Sequence, residues 1–346
     1  MIYDNLCVSK IHLIYPIIHI PSKYAYLQYP YKRVIAKRLH DPKEFLDSNL
    51  NQFYYVMSEY LSVFRSKLGE ELVSEAYNRL LTNWGVPYED LYLETKLGRT
   101  HIIVSGQTDS PPLILIHAFY ASAASWYQNV KSLSEKFHVF AIDIIGDPNK
   151  SKPLKPIRQT SCYVDWFIEV LNQLKIDRCD FVGNSVGAFH IANLALIEPD
   201  RVKSMTLIGP AATFINIPKF YIHTFPGGMT GWGFMVKHAV KWIENGSPFD
   251  PMFKILFYLL LKYGKSANQV FPAVMTDEQL KQIQTPTLLI YGEKEVIYDY
   301  SLAIRRAQQY LHKVSIEIIP EANHITGASR PDLTNDAILK FLGSIS

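Results

Sequence analysis

One serine in this chain stands where a serine can attack a carbonyl carbon. Ser185 is bracketed by glycines in Phe181-Val182-Gly183-Asn184-Ser185-Val186-Gly187. The pattern predicts a short apolar strand leading in and an apolar helix leading out. A tight strand-to-helix turn lifts a hydroxyl clear of the sheet, and small flanking residues let the backbone pass close by. A chance G-x-S-x-G in an ordinary loop would lack that strand and that helix. A serine hydroxyl is a weak nucleophile until a neighbouring base takes its proton. The base is expected to be a histidine, and a carboxylate is expected to orient it.

For this kind of turn the chain order is nucleophile, acid, histidine. Beyond residue 280 two histidines remain, His312 and His324. His312 falls at the end of a predicted helix, where a solvated or dipole-favoured role fits better. His324 lies in Pro320-Glu321-Ala322-Asn323-His324, a loop just past the last predicted strand. That loop reaches the same sheet edge as Ser185, so His324 is the expected base. The alternative is a loop histidine with a structural hydrogen bond. The acid should leave the preceding strand, which ends in Tyr291-Gly292-Glu293-Lys294-Glu295. Glu295 is the expected acid; Glu293 and Asp299 are rivals better suited to solvation or capping. A tetrahedral intermediate also needs donors for its oxyanion. The Val186 N–H follows the serine directly, and the Phe119 N–H is expected from the loop after the strand Leu113 to His117. His117 itself reads as a brace for that loop.

The elements that must hold these residues follow from periodicity. Leu68, Leu72, Ala76, Leu80 and Trp84 predict an amphipathic helix. Leu91 to Thr95 and Thr100 to Ser105, around Leu97-Gly98-Arg99, predict a hairpin. Strands are predicted at Leu113 to His117, Val139 to Ile145, Asp180 to Gly183 and Ser204 to Ile208. Helices are predicted between them, near 125–135, 160–175 and 186–198. Continuous apolar strands separated by helices indicate an α/β fold, a mostly parallel central sheet with helices on both faces. The rhythm breaks after Pro210 and returns at Thr287 to Tyr291, a helix near 301–311, Ser315 to Ile319 and a last helix from about Leu333 to Leu342. Residues 66–210 and 281–346 are therefore expected to form the core, and 211–280 an inserted helical cap over the strand ends, where ligands bind in open α/β sheets. The cap is rich in aromatic residues, among them Trp232, Phe234, Trp242, Phe253 and Phe257. They suit an apolar acyl or aryl group, or simply the core of the cap. Residues 1–65 form an extension of uncertain structure, either an arm packed on the main domain or a leader upstream of a natural start at Met57.

Composition excludes several classes. The 346 residues are 48% hydrophobic and 19% charged, with a formal net charge of +3. That balance supports no nucleic-acid or anionic-membrane partner. No stretch is long and apolar enough to span a bilayer. The segment Ile11 to Ile20 makes a poor signal core, since it holds two histidines and a proline and no A-x-A-like site follows. Three cysteines without metal-ligand spacing suit free thiols in the cytoplasm. No phosphate-cradling glycine loop and no H-E-x-x-H pattern occurs, so neither cofactor nor metal is expected.

The segments Thr95-Lys96-Leu97-Gly98-Arg99-Thr100-His101, Ala141 to Ser151 and Gly292 to Asp299 carry a resemblance. Over about residues 70 to 345 the chain resembles the α/β-hydrolases, and within them the carboxylesterase NP group, which cleaves esters of naproxen type. The resemblance implies a Ser185-Glu295-His324 triad and hydrolysis of small carboxylic esters through an acyl-serine. The family's usual His-Gly turn is His117-Ala118 here, which predicts a slightly different backbone in the oxyanion loop. The first 65 residues have no counterpart in it. Ser185 argues against the relatives that use an aspartate nucleophile. Perhydrolase, C–C hydrolase and acyltransferase chemistry keep the same triad, and the fold also makes low-turnover ligand receptors. The expected partner is a small ester; the oligomeric state is left open, a homo-oligomer included.

Overall fold

The computed structural model describes residues 60–345. In chain order the strands are β1 (Tyr88–Thr95), β2 (Gly98–Ser105), β3 (Pro112–Ile116), β4 (His138–Ile142), β5 (Lys152–Pro153), β6 (Cys179–Asn184), β7 (Val202–Ile208), β8 (Thr287–Gly292) and β9 (Val314–Ile319). They form one sheet in the order β1-β2-β4-β3-β6-β7-β8-β9, with β5 beside β2. β1, β2 and β4 pair antiparallel; from β4 through β9 every pairing is parallel. The open parallel sheet expected from the alternation of strands and helices is therefore the one observed. The chain leaves β3 toward β4 on one side and later returns to β6 on the other, so the order reverses between β3 and β6. Ligands gather outside the carboxyl ends of strands at such a reversal. Ser185 follows β6 directly, and Phe119 follows β3 by three residues.

Each central strand is buried on both faces. On β3, Leu113 and Leu115 join one apolar core while Ile114 and Ile116 join the other. The helices that cover the first are α1 (Lys67–Leu81) and, late in the chain, α8 (Pro251–Tyr263) and α11 (Pro331–Ser344). The second is covered by α3 (Thr160–Gln173), α4 (Val186–Ile197) and α10 (Tyr300–Tyr310). The short helix α2 (Val130–Ser134) follows a 3-10 turn at Ala123–Trp126, where one continuous helix was expected. Each fully buried Leu or Ile contributes roughly 1.5–3 kcal/mol.

Three expectations need adjusting. Helix α1 forms, but its buried face is Val73, Ala76, Tyr77, Leu80 and Leu81, with Trp84 just beyond; Leu68 is 60% exposed. A strict spacing of four drifts around a helix of 3.6 residues per turn, so the run from Leu68 to Trp84 cannot stay on one side. β4 stops at Ile142 rather than Ile145, because Asp143 turns inward to a buried cluster. Ordered packing also begins ahead of Ser66: Val63 and Phe64 are buried, and Phe64 pairs antiparallel with Gly264.

Between β7 and β8 the chain forms α5 (Pro218–His223), α6 (Phe225–Thr230), α7 (Gly233–Glu244), α8 and α9 (Asp277–Gln282). No helix of the described residues is long and apolar enough to cross a membrane.

Candidate active site

The sharp turn at Ser185 is forced by crowding. Its backbone has φ 53° and ψ −110°, a region that costs a non-glycine residue on the order of 1–3 kcal/mol. The neighbours hold it there: the Ser185 N–H donates to the Ile208 carbonyl at 2.8 Å, and the Ser185 carbonyl accepts from Phe189 and Ala211, both at 3.1 Å. A β-carbon on Gly187 would stand 2.5 Å from the Ile116 carbonyl oxygen and 2.6 Å from that of His117. Only a glycine lets α4 start against β3 this closely.

Three of the residues singled out from the sequence meet at this turn. Ser185 Oγ lies 3.0 Å from His324 Nε2, and His324 Nδ1 lies 2.6 Å from Glu295 Oε2. The other Glu295 oxygen accepts the Ile297 N–H at 2.8 Å. The His324 and Glu295 side chains are 3% and 0% exposed. A carboxylate at Nδ1 keeps a proton on that nitrogen, which leaves the Nε2 lone pair facing the hydroxyl. The Lys294 N–H ties the two loops together by donating to the Ala322 carbonyl at 2.8 Å, and the Asn323 amide anchors the His324 loop to the Ser247 carbonyl, between α7 and α8, at 2.8 Å. The rivals are occupied elsewhere. Glu293 accepts the Glu321 N–H at 2.9 Å, Asp299 caps α10 through the Ser301 N–H at 2.9 Å, and His312 meets the Lys281 carbonyl at 3.0 Å.

Val186 opens α4 and Phe119 lies in the loop after β3; both line the same cavity as Ser185 and His324. The left-handed residue of that loop is Tyr120, φ 51°, so the strain sits two positions after Ala118. His117 braces the loop as expected from the sequence. Its Nδ1–H donates to the Ala118 carbonyl at 2.7 Å, and its Nε2 accepts the Ile144 N–H at 2.9 Å. Burial lowers its pKa, in keeping with a neutral ring that can accept.

A buried cluster behind the loop escaped the sequence reading. One Asp143 oxygen accepts the Ala123 N–H at 2.7 Å; the other accepts the Tyr77 hydroxyl at 3.0 Å and lies 2.8 Å from His101 Nδ1. His101 Nε2 in turn lies 2.6 Å from Asp90. Burial alone would raise the Asp143 pKa. The hydrogen bond and charge of His101, with His117 and the Ala123 N–H, outweigh it and hold the carboxyl below its usual 3.8. These residues come from α1, β1, β2 and the end of β4, and no local spacing links them.

The cavity over Ser185 has a volume of about 370 Å³. Its walls include Phe119 from the β3 loop, Phe220, Tyr221 and Phe225 from α5 and α6, and Phe271 ahead of α9. The stretch that carries Ser266 and Asn268 is pinned to the end of β4: Ala267 N–H donates to the Gly146 carbonyl at 2.7 Å, and the Ser266 hydroxyl to Asp147 at 3.0 Å. Asp147 is fully buried with its second oxygen unpartnered, and burial pushes its pKa up to about 7. Among the described residues no group of three or more His, Cys, Asp or Glu is placed to hold a metal ion.

Comparison with known proteins places the chain in a family. Residues 111–234 match the family described as alpha/beta hydrolase fold. The chain is 33% identical over 278 residues to carboxylesterase nap of Bacillus subtilis (strain 168), across 78% of this chain and 92% of that one. The chain belongs to the α/β-hydrolase family. Within it, carboxylesterase YbfK of the same organism is 34% identical over 277 residues, again across 78% and 92%. The crystal structure of naproxen esterase (carboxylesterase NP) from Bacillus subtilis superposes with a TM-score of 0.74 at 32% identity, across 78% of this chain and 97% of that one. That of carboxylesterase CesB (YbfK) gives 0.75 at 32%, across 80% and 99%. The α/β-hydrolase and carboxylesterase expectations drawn from the sequence therefore stand.

Proposed function

We propose that this carboxylic ester hydrolase works through Ser185 as nucleophile, His324 as base and Glu295 as the group that orients it. The observation that carries this is the unbroken chain of contacts from hydroxyl to imidazole to carboxylate, 3.0 Å and then 2.6 Å. Ser185 Oγ attacks the ester carbonyl carbon as its proton passes to His324 Nε2. The backbone N–H groups of Val186 and Phe119 receive the oxyanion. Collapse breaks the bond to the alcohol oxygen, which leaves with the proton from Nε2. A water then gives its proton to Nε2 and attacks the acyl carbon; the bond to Ser185 Oγ breaks, Oγ takes the proton back from Nε2, and the acid is released. Glu295 holds the ring tautomer and stabilises the imidazolium in both halves.

Between β7 and β8, α5, α6 and the stretch from Lys265 to Pro272 act as a cap that supplies the cavity walls. Aromatic walls favour an apolar or aryl body on the substrate. The cytoplasm suits Cys162 and Cys179, which are free thiols. A fluorophosphonate probe tests the assignment. Labelling of the wild type that vanishes in Ser185→Ala supports it; an unlabelled, folded wild type with no turnover of any ester refutes it.

A further inference from the structure

The cavity wall is not uniformly apolar. Arg65 and Lys265 line it together with Ser185 and His324, and no aspartate or glutamate does. Two strands of backbone fix the pair. The Arg65 N–H donates to the Tyr263 carbonyl and the Lys265 N–H to the Val63 carbonyl, each at 2.8 Å, on either side of the Phe64–Gly264 bridge. Arg65 is held further by its guanidinium. One terminal nitrogen, Nη2, donates to the carbonyls of Gly228 at 2.6 Å and Met229 at 2.7 Å. That uses both protons of Nη2 and leaves those of Nε and Nη1 unspent. Among the described residues neither cation has a carboxylate in salt-bridge range. Other lysines and arginines of the fold do: Lys152 with Glu70, Lys254 with Glu244, Arg306 with Asp277. An apolar cavity with a reactive serine on its wall and two unpaired cations on the same lining has the charge layout of a site for an amphiphilic anion.

We infer that the cavity takes esters whose non-reacting end carries an anionic group, a carboxylate or a phosphate, received by Arg65 and Lys265 while the ester carbonyl sits at Ser185. This rests on the Ser185 reading above and narrows its substrate class. The aromatic walls hold the apolar middle of the molecule. Arg65 is pre-set by its two carbonyl contacts, so little side-chain freedom is lost on binding. Lys265 is exposed and adds a flexible second charge.

The test compares p-nitrophenyl esters of equal length that end in a methyl group, a carboxylate or a phosphate, in a series of chain lengths, at low and high salt. The expected wild type favours an anionic end at one optimum length, by about fivefold or more in kcat/KM at low salt, and the preference shrinks in high salt. The larger of the carboxylate and phosphate ratios names the natural headgroup. Lys265→Glu leaves Arg65 facing one carboxylate and is expected to bring the ratio of anionic to methyl-ended esters down to about one. A lost structural contact would slow all the esters together and leave the ratio alone. Lys265 makes only its backbone bond to Val63 among the described residues, so this variant keeps the test open even if Arg65→Gln fails to fold. Equal kcat/KM for all three ends in a wild type that labels with fluorophosphonate overturns the inference while sparing the esterase assignment. A missing Ser185 label together with no turnover overturns both.

Discussion

Gly209 and His324 touch in a way that leaves no room for a side chain. Gly209 has φ +50°, and a β-carbon there would stand 2.9 Å from both Cε1 and Nδ1 of the imidazole. The end of β7 therefore forms the back wall that fixes the ring between Ser185 and Glu295. Gly209→Ala should push the ring away from the hydroxyl. Misplacement by about 1 Å can cost roughly 10²-fold in rate. The expected outcome is a loss of that order in kcat with little change in KM. Unchanged kcat in a folded variant would remove Gly209 from the positioning role.

Glu295→Gln tests the orienter separately. The amide keeps the shape of the side chain but can offer an N–H toward Nδ1, which favours the wrong tautomer. Loss of tautomer control in such a relay lowers kcat by roughly 10⁴-fold. Steady-state kinetics with a single p-nitrophenyl ester decides the matter. A loss of less than tenfold would mean that another group orients His324.

Asp143 should matter for both stability and rate. His101 keeps Asp90 at its Nε2, but an amide at 143 offers one acceptor where the carboxylate serves His101 Nδ1, the Tyr77 hydroxyl and the Ala123 N–H, and each buried donor left unsatisfied costs about 1–3 kcal/mol. Asp143→Asn is expected to lower stability by that order in urea melts. It should also lower kcat, because Ala123 and the loop ahead of it lose their anchor. The depressed pKa of Asp143 contributes stability that is present above pH 3.8 and is lost as pH falls through the lower folded value. The variant should therefore show a shallower acid transition; an unaltered one would contradict the role.

Asp147 carries the opposite sign. Its pKa rises from 3.8 to about 7 in the folded protein, so its neutral form contributes stability that is full below pH 3.8 and lost as pH climbs through 7. The shift is worth on the order of 4 kcal/mol by pH 8. Asp147→Asn should flatten the fall in stability between pH 5 and 8. Parallel pH–stability curves for variant and wild type would show that the buried carboxyl is not the cause.

The legible parts of this site were those written in short runs of sequence. Ser185 announces itself because a sharp turn between a buried strand and a buried helix needs small residues on both sides. His324 could be placed because the last strand dictates which edge its loop reaches. Glu295 stood out from Glu293 and Asp299 because those two suit solvation or capping and because the resemblance carried by Gly292 to Asp299 implies a glutamate as the acid; the contacts of all three separate them in space. Asp143, His101 and Arg65 gave no such signal, since their partners lie 42, 11 and 163 residues away. The face of α1 was misjudged by counting in fours, an error that grows with helix length. Strand β5, two residues long, has too little pattern to be seen at all.

The order in which the reacting groups leave the ribosome follows from the topology. Ser185 emerges with the middle of the sheet already behind it, but His324, the proposed base, comes from the loop after β9, the last strand to add. A growing chain thus carries a chemically silent serine through most of its synthesis. Reactivity toward an activated ester would switch on only when the final edge of the sheet closes, which makes turnover itself a clock for the completion of folding.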